Sequence, residues 1–442
     1  MNPAQQGIYF QWLLEPESPY YNYQILLECA GSNTDRIRRA LGQALRANPQ
    51  LMAKFGVDST GRFTQTFPIS AIDMDEISIH EVASAQEARK ICWMKAAVPF
   101  NLEEGPAIAV DEIRINGYST WFVLTMNEIL IDGWGAMKFM EQLISLFECR
   151  NMDDQEIEVK TAMTSALEYF QHLSKPEEIS AEAREFWSKS LDGVKSCFPL
   201  RDTLNNSCDP YAASVIEVSL DDEATAEIRS TAHALSTSPF AVFVAAYSLA
   251  LAAVSDQHDF VVGAPVAGRN DEYEIGVPTL MLNMIAIRTR IDVEKKISDT
   301  VRSMISNVTE AVSFGDSVFS KVVSEFADHT NEDPLFSTMV NMLTYPSLEF
   351  WDGDRSLHLT ELNTGFTKYD ASLYIQRHGE DYTLQLAYKV AYVTPERANK
   401  VLALTAWFLT SDWLSGKTTV ANAIKTALND CDTSQITMLK SY

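Results

Sequence analysis

The stretch from Pro239 to Val254, PFAVFVAAYSLALAAV, contains no charged residue. It is shorter than the ~20 residues a helix needs to cross a bilayer, so burial on all sides inside a large core is the better reading. Only a sizeable domain can surround such a helix. The chain has 442 residues, too many for one hydrophobic core and suited to roughly two to three domains. With 46% hydrophobic and 10% aromatic residues, it has the apolar mass of an ordinary folded protein.

Helical and strand patterns alternate throughout, which predicts an α/β class. Thr34 or Asp35 can cap a helix whose Ile37, Ala40, Leu41, Ala44 and Leu45 share one face, and Asn48-Pro49 ends it. Trp121 to Met126 reads as a buried strand of aromatic and β-branched residues. Asp132-Gly133 breaks that pattern, and an amphipathic helix follows through Ala136, Phe139, Met140, Leu143 and Phe147. The segment Asn127 to Trp134 is therefore a loop between a core strand and a helix, where side chains are held firmly yet stay reachable. A polar, helix-favouring stretch from about Asp153 to Glu185 separates two halves of similar character. The second half carries the buried helix, a strand at Asp259 to Gly263 and another at Leu282 to Arg290. Two α/β lobes with a cleft between them follow, and we place them at residues 1–170 and 171–442.

Charge and cysteine usage narrow the function. A formal net charge of -25 leaves no basic face for nucleic-acid phosphates. Arg36, Arg38 and Arg39 cluster locally and read as a solvated helix face. Cys29, Cys92, Cys149, Cys197, Cys208 and Cys431 show neither CxxC spacing nor a histidine at ligand spacing. We expect no metal site and no disulfide framework, but reduced thiols in the cytoplasm. The opening residues lack a basic region followed by an apolar core, so no secretory signal and no membrane association are expected. His80, His172, His233, His258, His329, His358 and His378 lie in no motif. Ser313, Ser317 and Ser320 lack the Gly-x-Ser-x-Gly context of a nucleophile elbow.

Several segments, taken in order, resemble the condensation domains of nonribosomal peptide synthetases. Pro3-Ala4-Gln5-Gln6-Gly7-Ile8-Tyr9 is similar to their opening motif. Asn48 to Phe55 occupies the place of the second, with Met52 where an arginine is usual. Met126 to Trp134 aligns with the HHxxxDG signature, Asn127 and Glu128 standing where two histidines are expected. Val262 to Arg269, Asn283 within Leu282 to Arg288, Asn331 to Phe336 and Lys368-Tyr369-Asp370 match later motifs. We read Asn331 and Asp333 as turn formers ahead of Pro334. The resemblance implies a pseudodimer of two chloramphenicol-acetyltransferase-like lobes in a V, with a tunnel between them. Donor and acceptor carrier proteins would dock at the tunnel mouths and deliver thioesters on 4'-phosphopantetheine, with no bound cofactor. Adjoining adenylation and thiolation domains are implied as partners. The opening motif lies almost at Met1 and the tail Asp430 to Tyr442 reads as the start of a linker, so we expect a domain excised from a larger synthetase.

The substitution at the signature leaves three readings. In the first, Glu128 is a working acid–base group: a carboxylate shielded from water has a raised pKa and can take a proton from an ammonium nucleophile. Asn127 would then donate a hydrogen bond. In the second, the domain is inactive and serves as a docking or gating platform for carriers. In the third, the site performs another reaction on a carrier-bound thioester, such as cyclisation, although Gly135 lies where cyclisation domains have serine. The resemblance further implies that Asp132 and Gly133 maintain the loop, with Arg269 of the second lobe paired to Asp132. Trp134, Asn283 and Met52 are expected along the tunnel or substrate path. A CoA-dependent acyltransferase or an epimerase of the same fold would keep a histidine in the signature, which counts against both.

Overall fold

The apolar run folds as the helix Pro239–Ser255, and every residue from Ala241 to Ala252 is buried. Its polar members are satisfied inside the core: the Tyr247 and Thr338 hydroxyls share a hydrogen bond of 2.6 Å, and Thr289 Oγ1 donates to Ser248 Oγ at 3.1 Å. Unpartnered, such groups would be costly there. Each fully buried Val, Leu or Phe contributes roughly 1.5–3 kcal/mol relative to exposure, which explains why an uncharged stretch settles at the centre. The computed structural model describes all residues except 31–33, 68–71, 118, 150, 174–177, 203, 270, 328–333, 344–347, 353–354, 412–416 and 440–442; the side chains of residues 30 and 348–359 are likewise outside the description. Asn331 and Asp333 lie outside the described residues. Among the described residues, no single helix is long and apolar enough to cross a membrane; one pair, Asp222–Ala234 with Pro239–Ser255, meets that test only across a bend of 109°.

Two mixed sheets carry the architecture. The first runs Leu348–Asp352, Arg355–Leu362, Asn22–Ala30, Ser119–Asn127, Ile108–Ile115 and Ser78–Val82. The second runs Thr437–Leu439, Ala213–Ser219, Asp381–Lys389, Ala371–His378, Thr338–Leu343, Asp259–Val266 and Asn283–Arg290. Each sheet has its own core. One gathers residues between Tyr9 and Val159, the other residues between Ile179 and Ala427 around the central helix. The Met152–His172 and Ala181–Leu191 helices fill most of the stretch between the halves. The sheets nevertheless exchange chain, because the Leu348–Asp352 and Arg355–Leu362 strands pair into the first sheet. The tail expected as the start of a linker supplies an edge strand, Thr437 opposite Glu217.

The helix Thr34–Ala47 buries Ile37, Ala40, Leu41, Ala44 and Leu45, the face its spacing predicts. Its arginines are more engaged than a solvated face implies. Arg38 bonds the fully buried Glu112, which Arg114 Nε also reaches at 2.7 Å, and the Arg36 guanidinium lies 4.6 Å from the Phe147 ring centre. A carboxylate on a central strand needs such partners, and the helix face supplies one.

Sheet register sets up the site. Both Ser119–Asn127 and Arg355–Leu362 run antiparallel to Asn22–Ala30, with Asn22 opposite Asn127 and Gln24 opposite Leu362. Their C-terminal ends therefore lie beside its start. Tyr21, Glu128 and Glu361 are brought to one end of the sheet although they lie far apart in sequence.

Candidate functional site

The loop after Asn127 is tied down by its own backbone and by its neighbours. Asn127 Oδ1 accepts the Ile129 N–H at 3.0 Å, and the Asn127 and Glu128 carbonyls accept the Leu130 and Ile131 N–H groups at 3.0 and 3.1 Å. The Glu128 N–H donates to the Tyr21 carbonyl at 2.7 Å, and Gln5 Nε2 donates to the Ile129 carbonyl at 3.2 Å. Ile129, Leu130 and Ile131 are buried in the first core. These three apolar residues anchor the loop between its two acidic ends, Glu128 and Asp132.

Asp132 is enclosed. It caps the helix Gly133–Glu148, its Oδ1 accepting the Gly135 N–H at 2.7 Å. Its Oδ2 accepts from Arg269 Nη1 at 2.7 Å and from the Met281 and Leu282 N–H groups at 2.8 and 3.0 Å. Arg269 also donates to the Thr279 carbonyl at 2.8 Å, and the Asp132 and Arg269 side chains are each 4% exposed. The segment from Ile275 to Leu282 lies along this loop like a strap. Trp134 Nε1 donates to the Ile275 carbonyl at 3.0 Å and the Leu280 N–H to the Leu130 carbonyl at 3.2 Å. Asn2 Nδ2 and Gln50 Nε2 reach the Leu280 and Pro278 carbonyls at 2.6 and 3.1 Å.

Two glycines permit this approach. A Cβ on Gly135 would sit 2.8 Å from the Thr279 carbonyl oxygen and 2.9 Å from its nitrogen, and one on Gly268 would sit 2.0 Å from the Met281 carbonyl oxygen. Backbone against backbone cannot yield as a flexible side chain does, so any larger residue forces the strap away.

Glu128 has a different environment. Its side chain is half-buried, and among the described residues no hydrogen bond or ion pair to its carboxylate is found. Burial raises its pKa to about 7, the nearby Glu361 carboxylate pushes in the same direction, and the Lys368 ammonium opposes both. Tyr21 and Tyr374 are held well above the usual phenol range by burial and then by Glu128; Tyr369 is raised by burial, with Lys368 opposing. The resulting cluster contains two carboxylates, one ammonium and three phenols. It can accept or release a proton near neutral pH, and it offers carboxylate and aromatic faces to an ammonium group.

The other residues singled out in the sequence have structural partners here. Asn127 is 3% exposed and spends its carboxamide oxygen on the loop turn. Asn283 Nδ2 donates to the Gly315 and Ser317 carbonyls at 2.7 Å each, and its Oδ1 accepts the Phe319 N–H at 3.2 Å. Met52 is buried in the first core, and Gly133 opens the capped helix. Lys368, Tyr21, Tyr369, Tyr374 and Glu361 were missed as neighbours of Glu128. Lys368-Tyr369 belongs to a matched motif, but only the bond from Lys368 Nζ to the Tyr21 hydroxyl shows that this segment faces the loop. No histidine is among the groups acting on Glu128, and among the described residues no group of three or more His, Cys, Asp or Glu is arranged to hold a metal ion.

Comparison with known proteins places these observations. The family model for the condensation domain matches residues 1–402. One of the linear gramicidin synthase proteins of Brevibacillus parabrevis is 24% identical over 388 residues, which is 84% of this chain and 7% of that protein. One of the plipastatin synthase proteins of Bacillus subtilis (strain 168) is 22% identical over 397 residues, 89% of this chain and 15% of its own length. The chain thus spans a small part of these relatives. Among solved structures, a holo four-domain nonribosomal peptide synthetase bound to AMP and glycine superposes with a TM-score of 0.79 at 14% identity, over 95% of this chain and 33% of the other. The first condensation domain of the calcium-dependent antibiotic synthetase, in complex with a substrate analogue, gives 0.71 at 15% identity, over 100% of this chain and 98% of that one.

Proposed function

The chain belongs to the condensation-domain family of nonribosomal peptide synthetases, and on that premise we propose that it joins a carrier-bound acyl or aminoacyl thioester to an amine, with Glu128 as the group that handles the proton. The amine nitrogen attacks the thioester carbonyl carbon, the C–N bond forms and the C–S bond breaks. Glu128 accepts the proton leaving nitrogen and returns it to the departing sulfur. Positioning of two tethered substrates supplies ~7–11 kcal/mol of the barrier reduction, and a positioned acid–base group a further ~10²–10⁴-fold.

The observation that carries this reading is the placement of Glu128, a half-buried carboxylate at the sheet end shared with Tyr21, Lys368 and Glu361, where burial and then Glu361 push its pKa up to about 7. A carboxylate left in water would be too weak a base for an ammonium. Donor and acceptor carrier proteins would bring both substrates on 4'-phosphopantetheine, within a synthetase that also holds adenylation and thiolation domains. No cofactor of the domain itself enters the scheme.

A docking platform without turnover is the second reading, and one observation favours it. Asn127, Met52 and Asn283 all have structural employment, which leaves none of the three free to assist Glu128 in turnover. Cyclisation is disfavoured by the packing at Gly135, because a serine there would press its Cβ into the Thr279 backbone.

The test is product formation by the parent synthetase carrying Glu128→Gln, with Glu128→His alongside, read by mass spectrometry of carrier-bound intermediates. We expect Gln to lower product while carrier loading persists, and His to retain more than Gln. Equal product from wild type and Glu128→Gln contradicts the proton-handling role. Absence of product from wild type with loaded carriers supports the docking platform.

A further inference from the structure

The Glu128 environment draws on two parts of the chain that the first half cannot supply, and one tyrosine joins them. Tyr21 accepts the Glu128 N–H at its carbonyl, 2.7 Å away, and its hydroxyl accepts from Lys368 Nζ, also at 2.7 Å. The Lys368 ammonium lies 5.1 Å from the Tyr21 ring centre and 5.4 Å from that of Tyr369, within the range of cation–aromatic attraction. Its backbone is pinned on both sides. The Thr367 N–H donates to the Tyr211 carbonyl at 3.0 Å, and the Asp370 N–H to the Ser337 carbonyl at 2.8 Å. The buried Asp370 carboxylate takes two bonds from Arg201, at 2.7 and 3.1 Å. Lys368 is thus fixed in place before any substrate arrives.

Glu361 comes from a strand of the first sheet. It is the penultimate residue of Arg355–Leu362, opposite Ile25, at the sheet end where Glu128 emerges. Its own side chain is exposed. The titratable groups facing Glu128 are then Glu361 from the strand, Lys368 and Tyr369 from the segment after it, Tyr374 from the second sheet, and Tyr21 ahead of Asn22–Ala30. Glu15 reaches this set through Tyr21.

We propose that Tyr21 and Lys368 are positioning residues of the site: the Tyr21 carbonyl holds the Glu128 N–H and the Tyr21 hydroxyl holds the Lys368 ammonium, which fixes Lys368 at the end of the sheet where Glu128 and Glu361 lie. The inference deepens the proton-handling role proposed for Glu128 and rests on it for its catalytic meaning. Its physical content is separate. One cation and one anion, each delivered by the second half of the chain, bias the protonation of a carboxylate in the first half in opposite directions. The sign follows from their charges. Lys368 stabilises the ionised form and Glu361 the neutral form.

The test reads the Glu128 carboxyl itself. In the full chain labelled with ¹³C at glutamate carboxyls, the Glu128 signal is identified by its loss in Glu128→Gln, and its chemical shift is followed against pH. The parent midpoint is expected near 7. Lys368→Met keeps the apolar stem and is expected to move the midpoint up by about one unit. Glu361→Gln, at an exposed position, moves it down. Tyr21→Phe removes only the hydroxyl that holds Lys368 and gives an upward shift smaller than that of Lys368→Met. Unchanged midpoints, or shifts of the same sign in Lys368→Met and Glu361→Gln, overturn the proposal. If the midpoints move in opposite directions while the pH dependence of product formation stays fixed, the positioning role stands and the proton-handling role of Glu128 falls.

Discussion

Glu128 and Asp132 sit at the two ends of one loop, separated only by Ile129, Leu130 and Ile131, yet they have been given opposite surroundings. Asp132 receives four donors, from Arg269, Gly135, Met281 and Leu282, and is sealed beneath the strap. Among the described residues, Glu128 has burial without hydrogen-bond donors to its carboxylate, a like charge in Glu361 and a weaker opposing charge in Lys368. A buried carboxylate bonded directly to donors and a counter-ion fixes geometry, whereas one without such bonds is poised to change its protonation. The same loop thus holds a rigid end and a titrating end. Apolar residues between the two separate their environments.

Breaking the rigid end is expected to have the largest effect. Arg269→Met leaves Asp132 buried without its cation and should lower stability by about 3–5 kcal/mol in urea unfolding. A loss below about 1 kcal/mol would mean that the three backbone donors suffice alone. Next comes Gly135→Ser, which drives a Cβ into the Thr279 backbone and should cost roughly 1–3 kcal/mol in the same measurement. Full tolerance of serine would show that the strap has room to retreat and would reopen the cyclisation reading.

At the titrating end the effect is smaller and opposite in sign. The folded state raises the Glu128 pKa from 4.5 to about 7, so between those values the folded chain binds more protons than the unfolded one. Stability contributed by this group is therefore fully present below about pH 4.5 and is lost as pH rises through about 7. Glu128→Gln removes that loss. Allowing for solvent screening at a half-buried site, it should stabilise the protein by about 1–2 kcal/mol at pH 8 and by little at pH 4.5. Equal effects at both pH values would place the carboxylate in an ordinary solvated setting.

Much of the rigid end was legible in the sequence, because local rules govern it. An apolar strand, an Asp-Gly break and an amphipathic helix mark a strand–loop–helix, and Asp is a favoured helix cap. Arg269 as the partner came from the family resemblance, since no spacing rule connects residues 137 positions apart. The titrating end was only half legible. Glu128 stood out by occupying a histidine position, but its neighbours come from strand pairing between distant segments. The Leu348–Asp352 and Arg355–Leu362 strands carry no local mark of the sheet they join, so Glu361 and Lys368 could not be placed beside it. Asn283 and Trp134 show the reverse case. Their motif positions suggested a substrate path, while their side chains bond backbone carbonyls at 2.7 to 3.0 Å.

The most direct measurement of proton handling by Glu128 is the pH dependence of single-turnover product formation in wild type and Glu128→Gln, with both carriers loaded. If Glu128 moves the proton, the wild-type rate rises through about pH 7 and the Glu128→Gln rate is lower by ~10²–10⁴-fold and lacks that step. Superimposable profiles at equal rate would contradict this and leave Glu128 no part in moving the proton.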